Sequence, residues 1–391
     1  MIYRTLDDLR PGEVVSKPVQ TDDGRVLLKP GTVVTDRYLD QLRRRGVAGL
    51  WVDDGAAGTD VPGALSKRLR SETGRAVASV QASGRMLCGR LTRRDADSVL
   101  AWLTSVDAEK AADGLARVDT GALANALVDE VLAAAADSVL RVEKSVGDYA
   151  HAHSVDVATV AVAIARRLGF GRPEMVQLAR GALVHDVGMS LIDPTCHDKP
   201  GPLTKADRDQ IEMHPRLGFE LLRLLQPEAL LPSYVVLQHH ERQDGSGYPF
   251  GLRGGSRVSR SAFDGGRSDL VGLAEICAVA DVYDALSSPR PHRAALPPDQ
   301  VRALMRSLAP AKLNAEAVGA LLQLVPLYPV GGRVTVLCRQ FPRHRGLVVR
   351  RNEACPERPV IRLFGDERGA PVAPVEIDLS VERGILIKPA V

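Results

Sequence analysis

The chain has 391 residues, more than one domain usually contains, and its 45% apolar and 25% charged residues are ordinary for a globular protein. Its net charge of +3 leaves acids and bases almost balanced, which does not favour a nucleic-acid surface. Apolar runs stay short of the roughly 18 residues of a membrane span, and the start lacks a signal-peptide core. Five cysteines without CxxC spacing (88, 196, 277, 338 and 355) indicate a reduced protein. We therefore expect a cytoplasmic protein that binds neither DNA nor a membrane.

The first 144 residues predict two regions of different secondary structure. Residues 1–60 alternate short apolar runs with turn signals around one helix-like stretch, DRYLDQLRRRG, which predicts a small β-rich N-terminal module. Residues 61–144 take helical spacing, as in ALVDEVLAAAADSVLRVE, which predicts a helical linker region. We interpret the first region as a regulatory or packing module and the charges of the second as a solvated face.

Histidines and aspartates recur near the ends of the helices predicted between residues 148 and 288. Ser154 can cap the first of these helices, which would place His153 at its entrance. The next helix is predicted to begin at Pro173 and to run to a His-Asp pair, and a later one covers 233–241. Helices about one hairpin apart converge their side chains in a bundle core. The candidate set is His153, His185, Asp186, His214, His239, His240 and Asp281.

The stretch HHERQDGSGYP at 239–249 is the most informative part of the chain. Neighbouring residues of a helix point about 100° apart, so His239 and His240 suit two adjacent metals better than one tetrahedral site. The glycine-rich run after them predicts a turn laid over whatever they bind. Asp186 can bridge two cations with its two oxygens, and Asp281 in an apolar helix needs a partner or a metal. Each residue alone is more often structural, but the set indicates a metal site.

Six motifs together resemble the HD-GYP branch of the HD phosphohydrolase superfamily. They are HSVDVA (153–158), ALVHDVG (182–188), KPGPLT (199–204), MHPRLG (213–218), HHERQDGSGYP (239–249) and AVADVYDALSSPRP (278–291). Their order and spacing agree with the family over roughly 145–325. The N-terminal module also resembles one that often precedes such domains, and the tail resembles the short β segment that often follows them.

The resemblance implies a mainly α fold: a helical HD-GYP domain at 145–325, preceded by the module at 1–60 and the linker at 61–144, and followed by a β segment at 326–391. It also implies two divalent metals, iron or manganese. One would be held by His153, His185, Asp186 and Asp281, and the other by His214, His239 and His240 with Asp186 bridging. Some members hold a third metal through a glutamate four residues before the first histidine. Tyr149 occupies that position here, so we expect two metals.

The activity implied is hydrolysis of cyclic di-GMP to linear pGpG, and onward to GMP, by a water activated between the metals. Asp186 and His185 would be catalytic. Substrate contacts are expected from Gly247, Tyr248, Pro249, Lys199, Arg290 and Arg293. For Tyr248, packing is as plausible as ligand contact, and Glu241 and Asp244 are interpreted as turn-stabilising groups.

Several substrate-side residues depart from the family pattern. Met189 stands where the family usually has a lysine, which removes a cation near the substrate phosphate. The polar insert at 253–269 adjoins the expected substrate mouth, Glu275 replaces a usual arginine, and His292 replaces a common tyrosine. These departures leave open an alternative: a weak or inactive HD-GYP protein that binds cyclic di-GMP or acts as a scaffold for signalling partners. A phosphohydrolase of another nucleotide and a homodimeric state also remain open.

Overall fold

The computed structural model describes most of the chain, with gaps concentrated before the helical core and beside the predicted site. The described residues are 2–6, 9–16, 18–20, 26–45, 47, 49–52, 64–89, 91, 95–115, 118–134, 149–196, 202–255, 257–260, 270–288, 295–352, 355 and 357–389.

The N-terminal module consists of two small antiparallel sheets and one helix. Strands β1 (Ile2–Thr5) and β4 (Gly49–Val52) pair with each other, as do β2 (Val19–Gln20) and β3 (Val26–Leu28). Helix α1 (Asp36–Arg44) begins after Thr35, whose hydroxyl accepts a hydrogen bond from the Tyr38 amide, as an N-cap residue does. The module packs around its own apolar cluster, and the predicted β-rich module with one helix is confirmed.

Twelve further α-helices can be described in the middle of the molecule. No helix within the described residues has both the length and the apolar character of a membrane span. Two short 3-10 helices cover Val187–Leu191 and Pro194–Cys196. The α-helices are α2 (Lys67–Leu87), α3 (Ala96–Leu103), α4 (Val106–Ala112), α5 (Thr120–Ala133), α6 (Tyr149–Arg167), α7 (Arg172–Leu183), α8 (Lys205–Ile211), α9 (His214–Leu225), α10 (Leu230–Gln238), α11 (Gly272–Ser287), α12 (Pro298–Leu308) and α13 (Ala315–Leu324).

Helix α6 lies at the centre of this bundle. From His153 to Ala165 its residues are buried on every face, because alanine and valine fill it and α2, α5, α7, α11 and α13 all pack against it. Such a helix belongs to the interior of the bundle and not to its surface. One continuous apolar cluster runs from Leu69 to Val325, so α2–α5 share the core of the helices that carry the histidines.

The structure moves three predicted helix boundaries. The prediction that Ser154 caps α6 is wrong, because the helix begins at Tyr149 and Ser154 is buried within it. Helix α7 ends at Leu183, so His185 lies beyond its last residue. Helix α10 ends at Gln238 rather than at 241, and His239 is its C-cap. In each case the histidine still lies beside a helix terminus or in a core helix, and only the first or last residue of the helix differs from the prediction.

The C-terminal segment is a five-stranded antiparallel sheet with its own core. Its strands are β5 (Arg333–Leu337), β6 (Pro342–Arg350), β7 (Val360–Gly365), β8 (Pro371–Asp378) and β9 (Leu386–Pro389), in the spatial order β8-β7-β6-β5-β9. Val336, Val348 and Ile361 are fully buried and centre an apolar cluster separate from that of the helices. The predicted β segment is confirmed.

Gly188 makes the closest backbone approach next to the predicted site. A Cβ there would lie 2.0 Å from the His214 carbonyl oxygen and 2.7 Å from the Gly218 amide nitrogen, so the 3-10 helix would have to move away from α9. We expect Gly188→Ala to lower the free energy of unfolding by about 1–3 kcal/mol or more. Gly319→Ala is the matched control, because nothing lies within 4 Å of a Cβ there. In helix α13 the control should stabilise by about 0.5–1 kcal/mol. Urea unfolding measures both, and equal effects would contradict the close-contact argument.

Candidate metal centre

The carboxylate of Asp186 lies between two groups of histidines. Its Oδ2 atom is 3.4 Å from His185 Nε2 and 3.9 Å from His153 Nε2. Its Oδ1 atom is 3.3 Å from His214 Nε2 and 3.7 Å from His239 Nε2. The two oxygens therefore face different groups, which is the arrangement of a bridging carboxylate.

All seven residues proposed from the sequence as metal ligands come together here. They form two groups in which the potential ligand atoms lie within 4.8 Å of one another: Asp186, His214, His239 and His240, and beside them His153, His185 and Asp281. The Asp186 side chain is 35% exposed, whereas those of the other residues are buried or nearly so, so the cluster opens to solvent at the bridging position.

Helix ends fix the orientation of three of the imidazoles. The Nδ1 atoms of His185, His214 and His239 each lie 2.8 Å from the backbone carbonyl oxygen three residues earlier, at or near the end of α7, α8 and α10. The last carbonyls of a helix have no intrahelical partner, so each can accept a hydrogen bond from Nδ1–H. This assigns the proton to Nδ1 and leaves the lone pair on Nε2, which points into the cluster.

His153 is oriented by a carboxylate instead of a carbonyl. Its Nδ1 atom is 2.7 Å from Asp284 Oδ2, and the other oxygen of Asp284 accepts a hydrogen bond of 2.7 Å from the Ser288 hydroxyl. On the opposite side of the ring, Nε2 is 3.2 Å from Asp281 Oδ1. Asp281 and Asp284 are one helical turn apart on α11, so one helix supplies a potential ligand and the group that orients its neighbour.

Burial and neighbouring charges favour the neutral imidazole at His185 and His240 and the ionised carboxylate at Asp186. Burial, followed by the neighbouring histidines, lowers the pKa of His240 well below its usual value, and burial lowers the pKa of His185. Burial alone would raise the pKa of Asp186, but His185 and hydrogen bonds from His214 and His239 lower it well below its usual range. The pKa of His153 is raised, against the effect of burial, by its bonds to Asp281 and Asp284.

The residues present fit a pair of divalent cations. His185 Nε2 is buried and has no hydrogen-bond partner in the part of the chain that the structure describes, which is costly for a polar atom unless a cation takes the lone pair. The Nε2 atoms of His214 and His239 lie 3.3 Å apart, and both carry lone pairs if Nδ1 is protonated in each. Mixed imidazole nitrogen and carboxylate oxygen donors suit iron, manganese and other first-row divalent metals.

The glycine-rich turn closes over this cluster. The Tyr248 ring stacks on His240 with centroids 4.7 Å apart and an interplanar angle of 27°. Buried Glu241 accepts hydrogen bonds from the backbone amides of Phe250 and Leu252, at 2.7 and 2.9 Å. A Cβ on Gly247 would lie 2.4–2.5 Å from backbone atoms of residues 240–242, so only glycine fits there without a shift.

Part of the predicted substrate side lies outside the described residues. Lys199, Arg290, Arg293 and His292 are among these, as is most of the 253–269 insert. Met189 is half-buried in the 3-10 helix, three residues after Asp186.

Sequence reasoning missed the groups that hold the glycine-rich turn from outside. Lys312 Nζ is 2.7 Å from Asp244 Oδ2, and nothing in the sequence signals a pairing across 68 positions. The orienting role of Asp284 could have been suggested by its spacing of three residues from Asp281.

The sequence profile of the HD domain family matches residues 130–316. Over this segment the chain resembles an HD domain. It contains both histidine groups, the bridging aspartate and the glycine-rich turn, and the resemblance to the HD-GYP branch drawn from the motifs is confirmed.

Two relatives of similar sequence bear the names of cyclic-dinucleotide phosphodiesterases. The chain is 30% identical to a cyclic di-GMP phosphodiesterase of Pseudomonas aeruginosa over 67% of its own length and 60% of the relative's. It is 32% identical to a 3'3'-cGAMP-specific phosphodiesterase of Vibrio cholerae over 46% of its own length and 36% of the relative's. The chain therefore spans less than two thirds of either relative. A solved HDG"Y"P protein of Bdellovibrio bacteriovorus aligns with a TM-score of 0.43 and 16% identity, covering 83% of this chain and 98% of that one.

The hydrogen bond from His153 to Asp284 provides a test of the centre. Replacing the carboxylate of Asp284 with an amide should lower divalent-metal affinity by about 10–100-fold, as loss of a ligand-orienting partner typically does. Asp284→Asn and the wild type would be titrated with Mn(II) against a competing chelator. Asp299→Asn, at an exposed aspartate in the first turn of α12, is the control and should bind as the wild type does. Unchanged affinity in Asp284→Asn would remove His153 from the ligand set.

Proposed function

We propose that the HD domain hydrolyses cyclic di-GMP to linear pGpG at a binuclear metal site. The observation that supports this best is the placement of the Asp186 carboxylate, with one oxygen toward His153 and His185 and the other toward His214 and His239. Two divalent cations held there, iron or manganese, would supply charge neutralisation at the phosphate and a nucleophilic water at neutral pH.

The chain's own residues would orient the substrate and the water. Of the two carboxylates in the histidine groups, Asp186 is the more exposed, at 35% against 14% for Asp281, so it would hold the attacking water by a hydrogen bond, with His185 beside it. Burial, followed by the charge of Asp186, raises the pKa of the Tyr248 hydroxyl, which therefore stays protonated and can donate to a phosphate oxygen. Gly247 and Pro249 would shape the mouth on either side of it.

Cationic contacts to the second phosphate of the substrate are assigned by resemblance. Lys199, Arg290 and Arg293 would provide them, and all three flank the described part of the centre in sequence. A cyclic dinucleotide carries two phosphodiesters, so one can be cleaved at the metals while such cations hold the other.

Cyclic di-GMP is favoured over 3'3'-cGAMP because the relative matched over the larger part of this chain, that of Pseudomonas aeruginosa, bears the name of a cyclic di-GMP phosphodiesterase. The Vibrio cholerae relative named for 3'3'-cGAMP is matched over less than half of the chain. The two ligands differ by one guanine, so the choice depends on the pocket for that base.

A second candidate function is cyclic di-GMP binding with little turnover, in a scaffold that signals through partner proteins. Met189 favours this candidate. It is neutral and half-buried in the 3-10 helix directly after Asp186, where it offers neither a charge nor a hydrogen-bond donor to a phosphate.

Removing the bridging carboxylate should abolish hydrolysis. With protein loaded anaerobically with Fe(II), or with Mn(II), we expect cyclic di-GMP to yield pGpG, separated by chromatography. Asp186→Ala should lower the rate by about 100-fold or more, since it removes a ligand shared by both metals and several kcal/mol of transition-state stabilisation. Asp209→Ala, at an exposed aspartate in helix α8, is the matched control and should keep the wild-type rate.

The same assay separates the two candidate functions. Wild-type protein that carries two metals per chain and binds cyclic di-GMP without forming product would refute the hydrolase and support the binding protein. Faster cleavage of 3'3'-cGAMP than of cyclic di-GMP would overturn the choice of substrate while keeping the reaction.

Restoring a cation after Asp186 should increase the rate. One well-placed donor to a phosphoryl oxygen contributes roughly 10²–10³ in kcat, so Met189→Lys should raise kcat by up to about 100-fold with the metal content unchanged. Met189→Leu keeps the side chain neutral and apolar and should leave the rate as it is. A lysine variant no faster than the leucine variant would show that the missing cation does not limit turnover here.

A further inference from the structure

A buried carboxyl group outside the metal centre joins helix α11 to the glycine-rich loop. Glu275 is 3% exposed, and its Oε1 atom accepts two hydrogen bonds from side chains. Gln243 Nε2 donates one at 2.8 Å, and Asn314 Nδ2, at the N-cap of α13, donates the other at 3.0 Å. The three side chains come from three parts of the chain and meet away from water.

Two buried oxygen atoms in this cluster, Glu275 Oε2 and Gln243 Oε1, have no hydrogen-bond donor among the residues that the structure describes. The Gln243 amide cannot solve this by turning over, because its oxygen would then face Glu275 Oε1, which is also an acceptor. Leaving two buried acceptors unpaired costs free energy at each, and leaving the carboxylate charged and buried costs more.

We propose that Glu275 is held in the folded protein as the neutral acid and donates Oε2–H to Gln243 Oε1. Together with the bond from Gln243 Nε2 to Glu275 Oε1, this makes a closed amide–acid pair in which one proton satisfies both unpaired oxygens. Glu275 is then a positioning residue, which locks the loop that follows His240 against the helix that carries Asp281.

The surrounding charges are consistent with a neutral acid. The carboxylate of Glu316 on α13 is an acidic neighbour of Glu275. Its Oε1 atom lies 3.9 Å from a guanidinium nitrogen of Arg260, which precedes α11 in the chain. Lys312, from the turn before α13, is paired with Asp244 of the loop and is therefore neutralised locally. Burial raises the pKa of Glu275 to about 7, although Gln243, Asn314 and the Ser259 amide act in the opposite direction.

The Glu275–Gln243 pair does not contact the metal centre, but it joins two segments that carry residues of that centre. Gln243 lies three residues after His240 and five before Tyr248, and Glu275 lies six residues before Asp281 on α11. The loop is also bonded to the turn before α13 by the Asp244 amide and the Ala311 carbonyl, 2.9 Å apart. Ionisation of Glu275 would remove the Oε2–H bond and put a charge into the joint between these elements.

The first experiment measures folding stability against pH. A raised carboxyl pKa means that the folded state keeps a proton that the unfolded state has lost, so stability should fall as pH rises from the usual glutamate value of 4.5 to about 7. Glu275→Gln carries the donor permanently and is nearly the same shape. Relative to the wild type, we expect its folding equilibrium constant to rise by about tenfold per pH unit over that window.

Urea unfolding of both proteins from about pH 5 to about pH 8 gives the comparison. A difference between them that stays constant with pH would overturn the proposal, because it would mean that Glu275 does not change protonation in that range. The infrared spectrum of the wild type gives a reading that needs no folded variant. The carbonyl stretch of a protonated carboxyl should be present near pH 6 and vanish above about 7. Absence of that band at pH 6 would equally refute the neutral acid.

The positioning role rests on the proposed phosphodiesterase activity and has its own readout. In the wild type, kcat should decline as Glu275 ionises, and Glu275→Gln should keep its rate to higher pH with unchanged metal content. Equal pH profiles for the two proteins would reject the positioning role. If neither protein forms product at any pH, the proposed activity fails, whereas the stability and infrared results still decide whether Glu275 is a neutral acid.

Discussion

The placement of the Asp186 carboxylate between two groups of histidines is the constraint on which the rest of the fold depends. Each of its oxygens faces two imidazole Nε2 atoms, at distances of 3.3–3.9 Å. Four separate elements carry these imidazoles, so the packing of those elements must fix the ring positions to within about 0.5 Å. Helix α6, which is buried on every face from His153 to Ala165, makes this possible, because five other helices pack against it and it places His153 in the core. The chemistry proposed for the centre therefore depends first on how closely the helices pack, and only then on which residue types they carry.

Much of the site could be predicted from the sequence. The predictions that failed did so because they depend on contacts between residues far apart in the chain. The residue types, their order and the specific run HHERQDGSGYP carried all seven members of the two groups that the structure brings together. The helix ends around His153, His185 and His239 were displaced by three to six residues, because tertiary packing overrides local capping signals such as Ser154. The ionic contact between Asp244 and Lys312 and the buried contact between Glu275 and Asn314 join residues far apart in sequence, and no local pattern encodes such pairs.

The departures from the family pattern leave the seven histidines and aspartates of the two groups unchanged. Met189 removes a charge, whereas Glu275 introduces an acid that is met by two amide donors, Gln243 and Asn314. The two changes therefore have different physical meanings. Met189 offers no charge or hydrogen-bond donor to a phosphate. Glu275, in contrast, is buried beside two amide groups that donate hydrogen bonds to it.

The described residues form three separate apolar clusters, around Leu50 in the N-terminal module, through the helices, and around Val336 in the terminal sheet. Structures with distinct cores need not lose them at one temperature or one denaturant concentration. Circular dichroism of the whole chain would then average several events, and a melting midpoint would not report on the metal centre. The ultraviolet or fluorescence signal best matched to the helical core is that of Trp102, whose indole nitrogen donates to the Leu87 carbonyl between α2 and α3.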